Sequence, residues 1–114
     1  MKKELRQIVY QKYRGHCAYC GKKLKYSEMQ VDHIVSKHFG GENDISNYNP
    51  SCRSCNFYKG VNSVEAFRNI LRTIHTRIVK SFIVRVGIDY GIVEIKDFDD
   101  KFYFEKVKNE RKIC

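Results

Sequence analysis

Two Cys-x-x-Cys pairs, Cys17 with Cys20 and Cys52 with Cys55, limit what this chain can fold into more than any other feature. In a reducing compartment such pairs serve as metal ligands rather than disulfides, because each turn presents two thiolates to one ion. One structural zinc ion per chain on these four sulfurs would hold together the two ends of segment 21–51. Free thiols or a redox pair are the competing reading. A chain of 114 residues benefits from such a staple, since a domain this small leaves a large share of its surface wet. Cys114 has no partner by spacing.

Charge comes next. The formal net charge is +9, and four thiolates on one zinc ion would leave about +7. The excess is early: Lys2, Lys3, Arg6, Lys12, Arg14, Lys22, Lys23 and Lys25 stand against Glu4 alone in the first 25 positions. A polyanion such as nucleic acid is the partner this favours, through phosphate neutralisation and counterion release. Glu4, Arg6, Gln7, Gln11 and Lys12 interrupt any apolar leader, and no run reaches transmembrane length, so a cytosolic protein without a membrane is expected. Length and the absence of linkers predict a single domain over residues 1–114.

Along the chain, Leu5, Ile8, Val9 and Tyr13 recur at helical spacing and Arg14-Gly15 supplies a stop, predicting a helix over 4–13. A tight turn carries Cys17 to Gly21. Residues 30–35 read as a strand, 36–46 with Gly40-Gly41 as a loop, 48–51 as the returning strand, and 53–59 as a helix ending at Gly60. That order is a ββα unit. Asn62 with Glu65 reads as a capping box opening one amphipathic helix through Ile78, with Arg68, Arg72 and Arg77 off its apolar stripe. Residues 82–90 fit strand or helix, and the spacing of Phe82, Val86 and Tyr90 favours helix. Residues 92–96 and 101–107 read as a terminal β-hairpin, which could also serve as a protein-interaction module.

Cutting a phosphodiester needs an activated water and neutralisation of phosphate charge. A neutral imidazole suits the first task, and a divalent cation on hard oxygen ligands suits the second. His33 can supply the imidazole; Asp32 and Asn56 can supply the oxygens. A regular strand sends neighbours to opposite faces, so Asp32 and His33 serve one site only where the strand ends or bends.

Taken together, Cys17-x-x-Cys20-Gly21, Val31-Asp32-His33-Ile34, Gly40-Gly41, Asn47 and Cys52-x-x-Cys55-Asn56 with Lys59-Gly60 resemble the HNH endonucleases over about residues 5–67. The resemblance implies an α+β fold: a small zinc-stapled ββα-metal (His-Me finger) core with flanking helices, to which the sequence adds the C-terminal β-hairpin in an extension over 68–114. It implies hydrolysis of DNA, most naturally double-stranded, in a phage, mobile-element or defence setting. His33 is then the general base, Asp32 and Asn56 hold magnesium or another divalent cation, and Asn47 orients the histidine-bearing loop. Lys37, Arg53, Lys59 and Arg68 are the cations expected to meet phosphates, and His38 is a rival for a metal or phosphate contact. One centre cuts one strand, so a double-strand break calls for a homodimer or two encounters. Related enzymes often carry proline where this chain has Ser36. The alternative is a non-cleaving, zinc-stabilised nucleic-acid-binding or regulatory protein on the same fold.

Overall fold

A computed structural model describes residues 1–113, with side chains through Lys108; Cys114 lies outside the described residues. Helix α1 (Lys3–Gln11) buries Val9, and its end is set by Arg14 and Gly15 at φ of 53° and 81°. The Gly15 amide returns to the Tyr10 carbonyl at 3.0 Å, closing the turn as a left-handed stop does. Gly21, at φ of 83°, folds the first cysteine turn back so that its amide reaches the Cys17 carbonyl at 3.0 Å.

Strand β1 (Gln30–His33) pairs antiparallel with β2 (Tyr48–Ser51), with Asp32 opposite Asn49 and His33 opposite Tyr48. The strand stops two residues earlier than its β-branched sequence suggests. Asn47 causes this: its side-chain amide accepts from the Val35 amide and donates to the Val35 carbonyl, both at 2.9 Å, in place of a ladder. Helix α2 (Arg53–Lys59) follows at once, with Cys52 as its N-cap residue, the Sγ accepting from the Cys55 amide at 3.4 Å. A cysteine thus does the work of a capping oxygen.

The second half departs from sequence expectation in three places. The cap of α3 (Val64–Arg72) is Ser63, whose hydroxyl accepts from the Ala66 amide at 3.0 Å; the Asn62 capping box does not form. The single helix expected through Ile78 is two, α3 and α4 (Ile74–Ile78). At their junction Thr73 Oγ1 donates to the Ile70 carbonyl at 2.7 Å and Thr76 Oγ1 to the Thr73 carbonyl at 2.8 Å, drawing on acceptors the helix would use. Helix α5 (Phe82–Asp89) matches the favoured reading.

The terminal hairpin is the third departure. Residues 92–96 hold no strand, and 101–107 enter α6 (Tyr103–Ile113). Residues 101–107 read as strand in sequence, but Glu105 reaches back to the Phe102 amide at 2.9 Å, an N-terminal helix cap. The next two amides, of Tyr103 and Phe104, donate to the Tyr19 and Ala18 carbonyls at 3.0 and 2.9 Å. Helix α6 therefore starts on the first cysteine turn. Phe102 is buried against Tyr19 and Phe67, with ring centroids 5.3 Å from each, and these rings join Val9, Leu24, Met29 and Tyr48 in one core.

Candidate functional site

The four cysteine sulfurs all lie within 4.8 Å of one another. Cys20 Sγ and Cys52 Sγ are 3.8 Å apart, the edge of a tetrahedron with metal–sulfur bonds of about 2.3 Å. Backbone amides aim at the sulfurs: that of Cys52 lies 3.3 Å from Cys17 Sγ. Without a cation the cluster shares protons unevenly. Hydrogen bonds from Cys20 and Cys55 hold the Cys17 thiol far below its ordinary value, while bonding to Cys17 pushes Cys20 up to about 11 and Cys55 higher still. One thiolate is accommodated easily and further ones are not. A soft dication removes that conflict, so the donor set fits a structural metal.

At the end of β1, His33 and Asp32 diverge as neighbours on a strand must. His33 is half-buried, its ring edge-on to Tyr48 at 5.1 Å, with Nε2 3.1 Å from Asn43 Oδ1. A neutral imidazole that donates from Nε2 to this amide oxygen would keep its lone pair on Nδ1. Asn47 Nδ2 also donates to the Glu42 carbonyl at 3.0 Å, tying the far side of the loop to Val35. Between them lies Gly41, where a Cβ would stand 1.7 Å from the Val35 carbonyl oxygen, so glycine is required. Ser36 is buried with no partner for its hydroxyl among the described residues. Its carbonyl instead accepts from the Phe39 and Gly41 amides at 3.0 and 2.8 Å.

Asp32 faces inward. Its carboxylate accepts from the Tyr19 hydroxyl at 2.5 Å and pairs with Lys59 Nζ at 3.2 Å, and the two charged side chains are 4% and 0% exposed. Burial raises its carboxyl above the usual range, against the pull of Tyr19 and Lys59. Lys59 Nζ also donates to the His33 carbonyl at 2.9 Å, so one ammonium links both residues of the Asp-His pair. Asn49 donates to the Tyr19 hydroxyl at 3.4 Å and accepts from Lys12 Nζ at 3.0 Å, extending the polar chain to α1. Asn56 sits half-buried on α2. One carboxylate and one amide are donor types that suit a hard dication, but Lys59 already occupies the cationic place beside Asp32.

The sequence expectation for the basic residues needs correction. Lys37 and Arg53 are exposed, as a phosphate contact requires. Lys59 and Arg68 are not. Arg68 is 6% exposed, stacked 4.9 Å over Phe102 and paired with Glu105 and Glu65 at 2.7 and 3.1 Å. Arg72 is spent on Asp100 at 2.7 Å. His38 is exposed in the turn at Lys37–Phe39, edge-on to Phe39.

A cysteine cluster clamping a two-stranded ribbon and a following helix, with Asp-His at the ribbon's end, is the arrangement a family model recognises. Residues 17–61 match the HNH endonuclease family. The chain is also similar, over part of its length, to part of a solved structure, the Type II-C Cas9 enzyme from Actinomyces naeslundii, with TM-score 0.53 and 27% identity. That similarity covers 57% of this chain and 8% of the Cas9 chain, so the chain spans a small fraction of that enzyme's length. No curated protein matches. No helix among the described residues is long and apolar enough to cross a membrane. Reading the HNH pattern alone missed Asn43, Tyr19 and Asn49; Tyr19 lies inside the first Cys-x-x-Cys, where attention goes to the sulfurs.

Proposed function

We propose that the chain is a metal-dependent HNH endonuclease that hydrolyses DNA phosphodiester bonds, with zinc on Cys17, Cys20, Cys52 and Cys55 as its structural ion. The observation carrying this reading is the pose of His33, which is anchored through Nε2 to Asn43 on a loop clamped by Asn47. Its Nδ1 is thereby the proton acceptor for an attacking water. Asn47 is a positioning residue, holding the peptide of Val35 and hence the direction in which His33 leaves the strand. A divalent cation, magnesium or another, would be held by Asp32 and Asn56 once Lys59 Nζ gives up its place beside the carboxylate, and would supply charge neutralisation at the phosphate. Exposed Lys37 and Arg53 contact the backbone of double-stranded DNA, contacts that weaken steeply with salt and carry little sequence information. A single domain over the chain is supported by Phe102, which packs in the same core as Tyr19 and Phe67.

The buried Asp32–Lys59 pair favours a second reading, a non-cleaving nucleic-acid-binding or regulatory protein in which the ammonium permanently replaces the ion. A plasmid assay separates the two: wild type should nick supercoiled DNA with added divalent ion, and EDTA or His33→Ala should abolish nicking. DNA binding without nicking under any ion would favour the second reading.

A further inference from the structure

Helix α5 is sparsely covered. Gly87 is its one buried residue, packed against Val93 from the following turn. Phe82, Ile83 and Tyr90 are 75%, 78% and 79% exposed. At 100° per residue these three and Val86 fall on one face, opposite Val84. The chain is correspondingly drawn out, with a radius of gyration of 16.4 Å and extents of 50 × 37 × 27 Å, against about 13 Å for a compact chain of this length.

We infer that this face is a homodimer interface, in which α5 packs antiparallel on α5 of a second copy across a twofold axis near Val86. Charge and area select that occupant. A strongly basic chain, +9 overall, repels its copy unless the facing surfaces are locally neutral. The charged residues within α5 are Arg85 and Asp89, one of each sign, at the same edge of the apolar stripe. Antiparallel pairing about Val86 sets Phe82 against the partner's Tyr90 and brings Arg85 toward the partner's Asp89, so the face complements itself as an isologous contact must. With neighbouring Ile92, itself 80% exposed, the apolar side chains offer on the order of 600 Å² per copy, approaching the roughly 800 Å² a partner gives to a stable interface. The inference does not depend on the nuclease reading.

Light scattering and sedimentation of the zinc-loaded full chain test it over two decades of concentration. The expected result is a mass of two chains that dissociates on dilution, and a single-chain mass for the Ile83→Glu/Tyr90→Glu variant with unchanged helicity and metal content. Arg85→Glu and Asp89→Arg should each weaken association by about tenfold, and their combination should restore it. A single-chain mass at every concentration, a dimer that survives Ile83→Glu/Tyr90→Glu, or a charge-swapped double variant no tighter than either single would overturn the inference.

Discussion

Lys59 Nζ lies 3.2 Å from Asp32 Oδ2, and both side chains are buried. A buried ion pair adds little net stability compared with an apolar pair of similar volume, yet removing one member strands the other charge. Lys59→Met should therefore cost about 3–5 kcal/mol in urea unfolding, and Asp32→Asn with Lys59→Met should recover much of it. Equal stability of the single variant and wild type would mean that the pair is not sealed.

The metal-free cysteine cluster holds protons, with Cys20 pushed up to about 11 by its bond to Cys17. Binding zinc must release them, so affinity should rise with pH across the neutral range. Competitive chelator titrations would show this, alongside one zinc per chain by elemental analysis. Stripping the metal should unfold the core, because Cys52 also caps α2. Metal-free protein retaining native tyrosine near-UV signals would contradict that.

Two residues should affect the proposed chemistry differently. His33→Ala removes the acceptor and should slow cleavage by ~10²-fold or more with DNA affinity kept. Asn43→Ala leaves the imidazole but frees its tautomer and direction, so a smaller loss is expected, also without loss of DNA binding. A variant at Asn43 as active as wild type would show that the 3.1 Å contact does not orient the base.

At Ser36 the backbone has φ of −66°, which a proline ring adopts without strain, and the hydroxyl it would replace has no partner among the described residues. Ser36→Pro should stabilise the chain by about 0.4–1 kcal/mol, mainly by restricting the unfolded state. Thermal unfolding would register a higher midpoint; a lower one would show that the loop needs the flexibility serine leaves.

Glu105 ties α6 to α3 through Arg68. Burial opposes its ionisation, but the guanidinium outweighs this and holds the carboxyl below its ordinary value. A depressed carboxylate contributes stability that is present above the unfolded value, about 4.3, and is lost as pH falls through the folded one. Glu105→Gln should therefore be less stable than wild type at neutral pH and converge with it in acid. A constant difference across that window would assign the effect to packing instead.

The core was legible because its chemistry is local. Cysteine spacing, Asp-His, Gly-Gly and the asparagines each announce a turn or a ligand within a few residues. The basic surface was harder to read, since whether Lys59 or Arg68 faces water depends on Asp32, Glu105 and Phe102, which come from distant segments. The terminal hairpin failed for a related reason. Residues 101–107 read as strand from local composition, but the deciding partners are the carbonyls of Ala18 and Tyr19. Thr73 carried a helix break in a side-chain hydroxyl that periodicity does not weigh.

Those two carbonyls have a consequence for where the module can be cut. A piece excised as residues 17–61 would keep the four clustered sulfurs, the Asp-His pair and both clamping asparagines, yet would expose the two acceptors that the Tyr103 and Phe104 amides satisfy, and strip Phe67 and Phe102 from Tyr19. Tyr19 in turn holds Asp32. The portable unit is thus larger than the recognisable one: transplanting this centre into another protein means bringing α3 and the start of α6, or supplying a host surface with two donors and an aromatic ring in their place.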